Sequence, residues 1–110
     1  MQIQNKENYI FISSEENTFE EFYNALLKEK TTWINTHTIV QISDNINITT
    51  KDFLLFLDVV EEKRALKTSF IIIYSAVDVD EVSEEISIVP TLQEAEDLYE
   101  MENIERELGF

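Results

Sequence analysis

Carboxylates dominate the reactive groups of this sequence, with 23 Asp and Glu against 8 Lys and Arg and a formal charge of −15. Their densest run, Asp78-Val79-Asp80-Glu81, offers the oxygens that paired acid–base chemistry or a calcium or magnesium ion requires. The glycine and spaced ligands of a calcium loop are missing, so a solvated acidic connection is expected there. A small metal-assisted hydrolase using Asp78, Asp80 and Glu81 is one alternative. Nucleophilic catalysis by a hydroxyl needs a neighbouring base, and His37 is the single histidine. Lying between Thr36 and Thr38 at the start of a β-rich run, it reads as a strand-edge residue. The absence of cysteine removes disulfides, thiolate nucleophiles and cysteine–zinc sites. The single glycine, Gly109, cannot build a phosphate-cradling loop. No catalytic residue, metal ligand or cofactor is therefore expected.

Hydroxyls and amides are grouped more tellingly around Thr49 and Thr50. They follow a predicted strand and open a predicted helix, where the carboxyl ends of parallel strands and the positive end of a helix converge. A phosphate on Thr50 would meet that dipole but also Asp44 and Asp52, altering the surface sharply. The plainer reading makes Thr49 a helix cap. Together with the preceding loop residues Asp44, Asn45 and Asn47, and with Phe53 and Leu54 beyond, Thr49 and Thr50 form the expected partner-binding surface.

The elements that must position these residues are announced by three starts in which Thr is followed three residues later by an acid: Thr18 and Glu21, Thr49 and Asp52, Thr91 and Glu94. Hydroxyl and carboxylate can satisfy each other's orphan amides in such a first turn, and Asp closes it less well than Glu. Phe19, Phe22, Tyr23, Leu26 and Leu27 then line one face of a helix over about residues 18 to 30. From Thr50 to about Lys67 the apolar residues Phe53 to Leu57, Val59 and Val60 surround most of the helix, more than one neighbouring sheet can use. In the last helix Leu92, Ala95, Leu98, Tyr99, Met101, Ile104 and Leu108 read as a stripe opposite the carboxylates. Gly109 stands where a left-handed cap ends a helix, and Phe110 is expected to fold back on Ile104.

Strand signals fill the gaps. Ile3 and Tyr9 to Ser13 flank a polar turn and suggest a hairpin; His37 to Ser43 and Ser87 to Val89 are short β-rich runs. Phe70 to Tyr74 is apolar on both alternating faces, as in a central strand covered on each side. The order predicts one α/β domain over residues 1–110, with a mixed, largely parallel sheet of about five strands, an N-terminal hairpin and about three main helices. A brief helical turn is conceivable within the acidic connection, Ala76 to Glu85.

Charge narrows the partners. Twelve acids and one base follow Thr68, a distribution that repels phosphate backbones and anionic membranes. With no apolar run of membrane-spanning length and no signal-peptide pattern at the start, a cytoplasmic location is expected, without nucleic acid or membrane as partner.

The stretch from Thr38 to about Leu98 resembles the STAS domain, the fold of anti-sigma-factor antagonists and sulfate-transporter tails. The resemblance rests on TIVQIS, TTKDFLLFLDVVEEKRA, TSFIIIY and ISIVPTLQEAEDL as successive strand and helix segments. It implies a regulatory protein that docks on a protein partner through the start of the middle helix. It also implies Thr50 as the match to the serine or threonine that a partner kinase phosphorylates, although the family's preceding acid and following glycine are absent here. The segment VPTLQEAEDLYEMENIERELGF further resembles short bacterial proteins sometimes named ribonuclease Z. That enzyme's zinc sites need several histidines, so the resemblance implies no such activity. A non-catalytic protein–protein interaction module is thus the expectation, with a constitutive homo-oligomer, such as a homodimer through the middle or last helix, as the other alternative.

Overall fold

The computed structural model describes residues 1–76, 82 and 84–109. Asp78, Asp80, Glu81 and Phe110 lie outside the described residues, and with them most of the stretch in which a helical turn was conceivable and the expected fold-back contact.

Five strands form one sheet in sequence order: β1 (Gln2–Asn5), β2 (Ile10–Ser13), β3 (Thr38–Gln41), β4 (Phe70–Ile73) and β5 (Ser87–Val89). β1 and β2 are the expected antiparallel hairpin; β2 through β5 run parallel. Between β2 and β3 come α1 (Phe19–Lys28) and α2 (Lys30–Trp33). Between β3 and β4 come α3 (Thr50–Phe53), a 3₁₀ turn (Leu54–Phe56) and α4 (Leu57–Ala65). Both crossovers pack on the same face, as crossovers of one hand must when parallel strands follow in order.

Alternation along the strands divides the core in two. Ile10, Ile12, Val40, Phe70 and Ile72 face α1 to α4, where Phe22, Leu26, Trp33, Phe53, Phe56 and Val59 complete the larger cluster. Ile39, Ile71 and Ile73 face the other way, toward Ala95 and Tyr99 of α5 (Leu92–Glu107). β4 is buried along its whole length, which is why it shows no polar alternation.

The helix starts match the sequence signals, with one inversion. Thr18, Thr49 and Thr91 each accept a hydrogen bond from the amide three residues on. The Asp-closed start forms the complete reciprocal box: Asp52 N–H donates to Thr49 Oγ1 and Thr49 N–H to Asp52 Oδ2, both at 3.1 Å.

Two helix readings need correction. The continuous helix expected from Thr50 to about Lys67 is interrupted by the 3₁₀ turn. With three residues per turn, positions three apart eclipse, so Phe53 and Phe56 both enter the core while Leu54 and Leu55 turn outward. The stripe expected on the last helix is also not one face. Ala95, Leu98 and Tyr99 pack on the sheet, whereas Leu92, Met101, Ile104 and Leu108 are exposed.

Candidate functional site

Serines stand at or just past the ends of three parallel strands: Ser13 and Ser14 at the end of β2, Ser43 beyond β3 and Ser75 beyond β4. Because the strands are parallel and in register, these hydroxyls gather at one edge of the sheet. They border an open cleft of about 370 Å³, with Asp44, Tyr74 and Pro90 among its walls. The carboxyl edge of a parallel sheet is the usual location of an α/β binding site.

Hydrogen bonds fix the loop that leaves β3 here. Ser43 N–H donates to Ser14 Oγ at 2.8 Å, and Asn45 N–H donates to Ser43 Oγ at 3.2 Å. Ser75 Oγ donates to Asp44 Oδ2 at 2.7 Å. Tyr74, buried, donates its hydroxyl to Ile46 O at 2.7 Å. Ile46 is buried and Ile48 half-buried against the larger core cluster, so the side chains between them turn outward.

Asp44, Asn45, Asn47, Thr49 and Thr50 are consequently all exposed, and Leu54 is 43 % exposed. Only Asp44 of this set borders the cleft itself. Phe53 departs from expectation: it is 1 % exposed, at 5.8 Å from Tyr74 in an edge-on ring contact. It belongs to the core and does not contribute to the surface expected to meet a partner. Nearby Leu55 is 49 % exposed, its backbone carbonyl held by the Tyr23 hydroxyl at 2.9 Å. The serines were legible as the residues that end each apolar run, a signal the reading from helix starts passed over.

The opposite edge of the sheet carries the titratable groups. His37 Nδ1 accepts the Ser69 N–H at 3.0 Å, and its ring lies 5.1 Å from that of Tyr99. An accepting nitrogen requires the neutral ring. Burial, followed by the Arg106 and Lys63 charges, lowers its pKa accordingly. Ser69 Oγ donates to Glu102 Oε1 at 2.6 Å and accepts from Arg106 Nη2 at 2.9 Å, which ties α5 to the start of β4. His37 thus sits just before β3, against Ser69 and Tyr99.

Lys63 is the group that sequence reasoning missed. Its side chain is 1 % exposed, and Nζ donates to Trp33 O at 3.1 Å, to Thr38 Oγ1 at 2.6 Å and to Thr36 O. All three ammonium donors are thereby used between the end of α2 and the start of β3, though by neutral oxygens, and burial lowers its pKa to about 7. The signal was present: Phe56, Val59, Val60 and Lys63 stand at the three-and-four spacing of one buried helix face.

Among the described residues no group of three or more His, Asp or Glu is placed to hold a metal ion. No helix there is long and apolar enough to cross a membrane. No protein-family model matches the chain, and no curated protein is significantly similar to it.

Proposed function

We propose that the chain is a non-catalytic interaction module that docks on a protein partner through the carboxyl edge of its sheet, in the manner of the STAS domains it resembles. The observation that carries this reading is the exposure of Leu54 and Leu55 on the 3₁₀ turn, joined through α3 to a loop pinned to the sheet. Burying such side chains contributes roughly 1.5–3 kcal/mol each, and an outward apolar pair on a fixed scaffold suits a partner's pocket. Asp44, Asn45, Asn47 and Thr49 would form the polar rim that gives such an interface its register. Thr50, exposed beside them, is the hydroxyl whose phosphorylation would place a dianion at this rim and repel an acidic partner.

A tagged chain passed over an extract of its own cells should retain a specific protein. The Leu54→Glu, Leu55→Glu double variant should lose it while keeping its circular dichroism spectrum. Undiminished capture by that folded variant would sink the reading.

A further inference from the structure

The outer face of α5 carries a second apolar stripe that the described residues leave uncovered. Met101, Ile104 and Leu108 are 57 %, 55 % and 65 % exposed, and their spacing of three and four residues places them on one side of the helix. Ala95 and Tyr99 occupy the opposite side, against the sheet. This is therefore not the packing face of α5 spilling over its edge.

Charge specifies what can cover it. At helical spacing Glu94 and Glu105 flank the stripe on one side, and Glu100 and Glu107 on the other, all four exposed. The helix has a single base, Arg106, and that base is turned inward to Ser69 and Asn103. A second copy of the same face would bring carboxylates against carboxylates, with −15 on each chain. An apolar stripe between rows of basic residues would meet both features at once.

We infer that the outer face of α5 is a second docking surface, on the opposite face of the sheet from α3, and that its occupant is a cationic amphipathic helix of another protein. If the carboxyl edge docks a partner as proposed above, the chain would then join two proteins, one at that edge and one on the outer face of α5.

A labelled helical peptide of leucine and lysine, with its leucines at three- and four-residue spacing, tests this by fluorescence anisotropy at physiological salt. The wild-type chain should bind it with one-to-one stoichiometry. Ile104→Glu adds a negative charge, so attraction by charge alone would tighten binding; docking on the stripe instead predicts binding weaker by about tenfold or more. Leu108→Glu, beyond the last helical residue, provides the same test should Ile104→Glu not fold. Unchanged or tighter binding by the folded variants would overturn the inference, as would equal binding of a peptide with the same composition in scrambled order. Sedimentation showing a wild-type dimer that Ile104→Glu dissociates would make a second copy the occupant and overturn it as well.

Discussion

At the scale of single residues, Lys63 makes stability depend on pH. Its folded pKa of about 7 lies below the 10.5 of a solvated lysine. Between those values the unfolded chain binds the extra proton, and stability rises with pH. His37, likewise lowered, opposes protonation of the folded chain and removes stability as pH falls below its ordinary 6.5. Thermal melts from about pH 7.5 to 9.5 should show the melting temperature climbing, and Lys63→Met should flatten the climb. A wild-type curve that falls over this range would refute the assignment. Phe53 and Leu54, adjacent in sequence, should also part company. Phe53→Ala should cost about 3–5 kcal/mol in urea unfolding, whereas Leu54→Ala should stay within about 0.5 kcal/mol. Sequence alone did not separate them, because both are large apolar residues and the 3₁₀ turn that sends one inward and the other outward has no distinctive residue of its own.

At the scale of elements, the helix ends are where local chemistry is most exposed to test. The box between Thr49 and Asp52 anchors α3 after the loop that leaves β3, and Thr49→Ala should cost roughly 1 kcal/mol. α4 ends less comfortably. Thr68 N–H donates to Lys63 O and Lys67 N–H to Arg64 O, the pattern that wants a left-handed residue at Lys67, whose φ is 59°. Lys67→Gly should therefore raise stability by about 1 kcal/mol, measured by the same unfolding. Gly109, at φ 82°, already supplies that conformation after α5, as the sequence suggested. Helix existence was readable because caps and spacing are local. The two-sidedness of α5 was passed over, because each step from Ala95 through Leu98 and Met101 to Ile104 spans three residues, and such steps of about 300° drift around the helix to the side opposite Ala95 and Tyr99.

At the scale of the whole molecule, the hairpin, the parallel order and the fully buried β4 follow from patterns that repeat over several residues, and the expected α/β sheet is the one observed. The edge at which function is proposed was legible in part. Asp44, Asn45, Asn47, Thr49, Thr50 and Leu54 are each exposed. The cleft of serines beside them depends on the register of β2, β3 and β4, a long-range property that no single segment declares. The acidic surface supplies a further expectation: association with a basic partner should weaken as salt is raised, most strongly where exposed carboxylates flank the contact.

Docking on another protein through the 3₁₀ turn is tested most directly by a photoreactive benzophenone side chain in place of Leu54, irradiated in the cells that make the protein. The predicted result is a covalent adduct with a different protein, absent when the probe replaces Gln4 on the edge strand β1. Adducts only between two copies of the 12.9 kDa chain, or equal adducts from both positions, would contradict it.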